Sequence, residues 1–137
     1  MRAISLWQPH ASLWLSPAKL HETRNWRVPK HIKGQRIVVH AAKRSIEDDD
    51  LNLLWEKYDL GVRPLGALIG TLTIVGCVQT QNAQPNNAED AACGDWSEGR
   101  YAWGRGEDFA RFKVPIPWIG RQGFFNVPDE IIGELHT

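Results

Sequence analysis

The chain is poor in sulfur and has no long apolar run. Of its 137 residues only Cys77 and Cys93 are cysteines, and their separation fits neither a paired metal-ligand motif nor a disulfide framework. That usage points to a reducing compartment and to two buried or loop thiols. No segment approaches the roughly 20 apolar residues needed to cross a bilayer, so no membrane span is expected. The start, Met1-Arg2-Ala3-Ile4-Ser5, lacks the apolar stretch and small-residue cleavage site of a signal peptide, and a cytoplasmic location is the expectation. His10, His21, His31 and His40 show no metal-ligand spacing, and Asp48-Asp49-Asp50 suits a helix N-terminus, so neither a metal nor a cofactor is expected. Gly104-Arg105-Gly106 lacks the rest of any phosphate-loop pattern and reads as a turn.

Acid is scarce in one part of the chain and base in the other. From Met1 to Arg44, nine Lys and Arg residues stand against one acid, Glu22, a balance of +8; the remaining 93 residues carry seven bases and fifteen acids, or −8. A formal charge of zero therefore hides a segregation that hints at an anionic partner. Trp7, Trp14 and Trp26 are interleaved with the bases of the first part. Flat rings beside cations are how many proteins hold unpaired bases, which makes nucleic acid the first partner to test.

The length suits one domain over residues 1–137. Arg2–Leu6 reads as a short strand, and Gln8-Pro9 turns into a brief helix through Leu15 that Pro17 ends. Lys19–Trp26 reads as extended, and Gln35–His40, with its β-branched centre, as a buried strand. Ser45 with Asp48 three residues on forms an acidic capping box for a longer helix through Leu51, Leu54, Trp55 and Tyr58. Ala67–Val78, apolar on both faces and bent at Gly70 and Gly76, reads as a coiled strand buried on both sides. Thr80–Gly94 is a polar surface loop with one helical turn; Tyr101–Trp103, Phe109–Ile116 and Gly123–Val127 are strands, with Pro115 and Pro117 placing theirs at a sheet edge. Pro128–Leu135 closes the chain as a helix. Five or six strands without βαβ rhythm predict an α+β fold built on a small twisted β-barrel, flanked by short helices and one longer helix.

Four blocks of residues carry a resemblance. They are Ile4-Ser5-Leu6-x-Gln8-Pro9-x-Ala11-Ser12-Leu13, the spacing Lys19-x-x-Glu22-x-Arg24-x-Trp26, then Gly34-x-x-Ile37-x-x-His40-Ala41-Ala42-Lys43, and the strand from Ile69-Gly70 to Cys77. Together they resemble the ASCH (activating signal cointegrator homology) domain, a PUA-like family. The resemblance spans essentially the whole chain and implies a small β-barrel with flanking helices. For activity it implies several things: RNA-binding modules, a DNA-binding coactivator domain, a ribonuclease, and amidohydrolases acting on acetylated cytidine. The chain departs from the family at Pro17, where Gly is usual, and at His10, where Trp is usual. In the amidohydrolases a Lys, a Thr three residues later and a distant Glu act together; here Lys19 matches, but Glu22 holds the threonine's place and Thr23 is one step out of register.

The expected function is binding of RNA, of another nucleic acid or of a nucleoside ligand in a basic, Trp-lined cleft. Lys19, Arg24, Arg27, Lys43 and Arg44 are expected to neutralise phosphate, and Trp7 and Trp26 to stack on a base. Glu22 is expected to meet a base edge or position Lys19, Gln8 to border the site, and Tyr101 and Trp103 to offer a third wall. Trp14 and Trp55 are assigned to the core. Lys19, Glu22, Arg24 and Lys43 should border one concave surface. In the competing enzymatic reading, an amidohydrolase on N-acylated cytidine or a ribonuclease, Lys19, Glu22 and Thr23 are the catalytic candidates, and a nucleophile or base must lie within hydrogen-bond reach of Lys19.

Overall fold

Strand β4 (Ala67–Gln79), 13 residues long, organises the sheet. Its first part runs antiparallel to both β3 (Arg36–Ser45) and β6 (Ala110–Pro117), while Ile74–Gln79 pairs antiparallel with β5 (Tyr101–Arg105). Glycines permit the change of partner. A Cβ at Gly70 would lie 2.3 Å from the Ala110 carbonyl oxygen, and Gly76 sits at the register shift that opens the β5 ladder. β3 pairs in parallel with β1 (Arg2–Gln8), and β1 pairs antiparallel with β7 (Phe124–Asn126). At the other end, β2 (His21–Arg24) pairs antiparallel with β5. The order of this mixed sheet is β2-β5-β4-β3-β1-β7, with β6 beside β4 alone. The proline-bearing strand, carrying Pro115 and Pro117, is therefore at an edge, where its missing N–H groups cost no ladder bonds.

The computed structural model describes residues 1–133, and its helices are short: α1 (His10–Trp14), α2 (Asp49–Lys57), α3 (Ala88–Ala92) and α4 (Asp129–Gly133). None of these is long and apolar enough to cross a membrane. The expected continuation of the last helix to Leu135 lies outside the described residues. The α+β class and the predicted mixture of one longer helix with smaller ones hold. No ladder joins β7 to β2 among the described residues, so the sheet is open where a closed barrel was expected. Aromatic packing spans that gap instead. Phe124 on β7 stacks on Trp103 of β5, their centroids 5.9 Å apart, and meets Trp26 edge-on at 6.0 Å.

Alternation in β3 shows how both sheet faces are covered. Ile37 and Val39 join Ile4, Leu6, Trp14, Leu72 and Trp103 in one cluster, whereas Val38 joins Ala3, Leu68, Phe112 and Phe125 in another. A third cluster packs Leu51, Leu54 and Trp55 of α2 against Leu13 of α1 and Cys93. Trp14 and Trp55 are core residues as assigned.

Three local expectations need correction. Asp48, not Ser45, caps α2, its carboxylate accepting from the Leu51 N–H at 3.1 Å, because β3 runs on through Ser45. Thr80–Gly94 holds more than the one helical turn expected: a single 3-10 turn (Thr80–Asn82) and α3. Gly104 and Arg105 are not a turn but the end of β5, where Arg105 is buried.

Candidate functional site

The segment before β2 is pinned from two sides. Arg105, buried at 4% exposure, donates from Nε to the Lys19 carbonyl at 3.0 Å and from Nη2 to the Ser16 carbonyl at 2.8 Å. The buried Asp90 carboxylate accepts from the Leu20 and His21 N–H groups at 2.9 and 3.0 Å and contacts His21 Nδ1 at 2.7 Å. Burial raises the Asp90 carboxyl, but the hydrogen bonds from His21 and from the Asn86 N–H outweigh it and hold the group below its usual range. Lys19 therefore enters the interior from a fixed backbone.

Its side chain is completely buried. Lys19 Nζ donates to Glu22 Oε1 at 2.5 Å and to His10 Nδ1 at 3.1 Å, while Arg24 Nε donates to Glu22 Oε2 at 2.9 Å. Period-two alternation puts Glu22 and Arg24 on the same side of β2. Burial raises the Glu22 carboxyl, yet the Lys19 and Arg24 charges and the Lys19 hydrogen bond prevail, so it is ionised at neutral pH. The Lys19 ammonium, together with burial, pushes the His10 imidazole down to about 4, so the ring is neutral and its Nδ1 is free to accept.

Above this ionic floor lies a cavity of about 500 Å³. His10, Glu22, Thr23 and Arg24 form one side, the cap residue Asp48 with Leu51 of α2 a second, and Ala92–Asp95 with Arg100 a third. Thr23 joins two of these sides: its Oγ1 accepts from the Asp95 N–H at 2.9 Å, and its carbonyl accepts from Arg100 Nη2 at 3.1 Å. Arg100 Nε is buried without a hydrogen-bond partner, 3.6 Å from Asp95 Oδ2. Burial pushes the Cys93 thiol up to about 11, which leaves it protonated and unreactive at neutral pH.

A second cavity, of about 960 Å³, meets the first along Ser5, Trp7 and Arg24. Trp26, His40, Lys43 and the Trp118–Gly123 loop complete it. His40 Nε2 donates to the Trp118 carbonyl at 2.8 Å, which leaves Nδ1 to accept from the Ser5 hydroxyl at 2.9 Å. Burial lowers the pKa of this ring as well. The loop crosses directly over it, since a Cβ at Gly120 would lie 2.6 Å from His40 Cε1 and 2.9 Å from Ser5 Oγ.

Trp7, Glu22, Thr23, Arg24, Trp26 and Lys43 thus border the two joined cavities. Trp7 is 48% exposed, and the Arg44 guanidinium lies 4.3 Å from its ring centre, a cation–π contact at the rim. Five candidates sit elsewhere or serve otherwise. Lys19 is sealed beneath the floor and faces no ligand, because its charge is taken up by Glu22. Gln8 is wholly buried, donating to Ser12 Oγ and the Pro64 carbonyl and accepting from the Ser12 N–H, so it anchors α1. Trp103 is 0% exposed and packs edge-to-face on Trp26 at 4.7 Å, a core residue supporting the wall. Arg27 lies over the Tyr101 ring at 5.3 Å, and neither lines a cavity. The Thr23 hydroxyl is engaged by Asp95, and the bonds of Lys19 Nζ go to Glu22 and His10.

Sequence reasoning gave no site role to His10, His40, Asp95, Arg100 or the loop 118–123. One signal was present: His40 ends a buried run of β-branched residues, a place where a polar ring must find partners. Among the described residues no three His, Cys, Asp or Glu side chains group closely enough to hold a metal ion.

No family model and no curated protein matches the chain. Solved structures do. The crystal structure of ASCH from Zymomonas mobilis superposes with a TM-score of 0.61 at 18% identity, covering 98% of this chain and 92% of that one. The fold is ASCH-like. Two point mutants of the same protein give TM-scores of 0.61 and 0.57, each at 18% identity over 98% of this chain. At that identity the likeness fixes the ASCH-like architecture, and the chemistry rests on this chain's own side chains.

Proposed function

We propose that the cleft binds RNA or a nucleotide-like ligand. The observation that carries this reading is Glu22. It is an ionised carboxylate at the floor of a cavity, fixed by Lys19 and Arg24, with an indole and a guanidinium at the rim. Such a carboxylate accepts from the amino group of a base, and Trp7 offers a face for stacking. Arg24, Lys43 and Arg44 supply the cations for phosphate, a role from which the burial of Lys19 removes it. The test is titration of fluorescein-labelled single-stranded RNA at rising salt. Binding that weakens as salt rises is expected, and no binding at low ionic strength overturns the reading.

His10 favours a second reading. It is a neutral base 3.1 Å from Lys19 Nζ and lines the first cavity, the arrangement an amidohydrolase on an acylated cytidine requires. In that case His10 Nδ1, released from its Lys19 bond, takes a proton from the attacking water and passes it to the departing amino group, while the Lys19 ammonium stays with Glu22. Turnover of acetylcytidine by the wild-type chain, lost in His10→Gln, would establish it.

A further inference from the structure

The two cavities differ in charge. The first is lined by three carboxylates, Glu22, Asp48 and Asp95, against two guanidinium groups, Arg24 and Arg100. Among the described residues the lining of the second contains no Asp or Glu, while Arg24, Lys43 and Arg121 supply cations and Trp7, Trp26 and Trp118 supply indoles. Resting on the reading above, we propose that the cleft takes a single strand of nucleic acid rather than a free nucleoside: one nucleoside in the first cavity, the adjoining phosphate at Arg24, and the next nucleoside in the second.

A phosphodiester is repelled by the acidic lining of the first cavity and attracted to the second, whereas base edges suit the mixed donors and acceptors of the first. Ser5, Trp7 and Arg24 belong to both linings and form the seam. An indole and a guanidinium at a seam match the two parts of a strand that must pass there, a base and its phosphate. Each cavity lies within the roughly 300–1,000 Å³ range of ligand sites, so each has room for one nucleoside. Neighbouring bases seated in separate cavities cannot stay stacked on each other, which selects a single strand over a duplex. An acidic peptide would satisfy the cations but leave three flat rings without a matching surface.

The far wall is rigid, as a preformed subsite requires. The Trp118 N–H donates to the Gly66 carbonyl at 3.0 Å, His40 holds the Trp118 carbonyl, and Gly120 lies over the imidazole. His40 is in this scheme a positioning residue that fixes the loop carrying Trp118 and Arg121.

The experiment titrates the full chain, by tryptophan fluorescence, with each of the four ribonucleosides and its homodinucleotide, and with octamers of uridine and thymidine. For at least one base the dinucleotide should bind ten-fold or more tighter than the nucleoside. In Arg121→Glu, a change at an exposed position, that ratio should fall towards one, and poly-glutamate should not displace the octamers. A nucleoside that binds as tightly as its dinucleotide overturns this proposal while leaving the first cavity's reading intact. A ratio unchanged in Arg121→Glu, or displacement by poly-glutamate, also overturns it. Absence of binding by nucleoside and strand alike removes the underlying reading as well.

Discussion

The floor of the cleft and its outer wall are built in opposite ways. On the floor, residues close in sequence, Lys19, Glu22 and Arg24, are locked by charge, and the lysine is shut away from solvent altogether. On the wall, residues distant in sequence, Lys43 and Arg121, stand exposed around a loop held by one histidine and one glycine. Lys19 and Lys43 are the same residue type in the same basic segment, yet the first serves the fold and the second faces the cavity. Burial, rather than identity, separates them.

The largest expected effect breaks the floor. Glu22→Ala leaves the buried ammonium of Lys19 without its carboxylate, and stranded buried charges cost about 3–5 kcal/mol. Urea unfolding should record that loss. The double variant Lys19→Met, Glu22→Leu should recover most of it, because an apolar pair replaces an ionic one. A double variant as unstable as Glu22→Ala would mean that the destabilisation does not come from the stranded charge.

Next comes pH. His10 is held down at about 4, below its ordinary 6.5, so between those values the unfolded chain binds a proton that the folded chain refuses. Stability should be fully present above pH 6.5 and fall as pH drops towards 4, by up to about 3 kcal/mol at 1.36 kcal/mol per unit. Glu22, also depressed, extends the loss to lower pH. His10→Gln should flatten the profile between pH 6.5 and 4; an unchanged slope would place its origin elsewhere.

The wall breaks more gently. Gly120→Ala puts a methyl group within 3 Å of His40 and Ser5, and the ring cannot swing aside without giving up two hydrogen bonds. A cost of about 1–3 kcal/mol is expected in thermal or urea unfolding. Because the displaced loop carries Trp118 and Arg121, strand binding should weaken beyond what the stability loss explains. Full affinity in a folded Gly120→Ala protein would show that the loop does not form the wall of the binding site.

This contrast also explains how far the sequence could be read. The floor was legible because Lys19, Glu22 and Arg24 fall on and beside one strand, where spacing alone predicts proximity. Their burial was not, since it depends on Arg105 and Asp90 arriving from β5 and α3 to pin the Lys19 backbone. The strands were legible from β-branched runs and glycines, and β6 as an edge from its prolines. Open versus closed topology was not, because it turns on whether β7 and β2 exchange backbone bonds or only aromatic contacts. The second cavity brings Ser5, His40 and Trp118 together across more than a hundred residues, and no local pattern announces it.

The smallest effect in energy sharpens the comparison most. A cation that meets phosphate displaces condensed counterions, so removing it flattens the logarithmic salt dependence of single-strand binding by about 0.7 per contact. A cation sealed in the interior against a carboxylate, where no phosphate reaches it, displaces none. Lys43→Ala should therefore reduce the slope by about 0.7 with little change in stability, since the side chain is exposed and Gly66 supports only its aliphatic stem. Lys19→Met, measured at a temperature where it remains folded, should leave the slope as it is in the wild type. The slope is the right readout because affinity alone confuses a lost contact with a loosened floor. Equal flattening by both variants would mean that Lys19 reaches phosphate when ligand is bound, and the division between floor and wall would fail at its central residue.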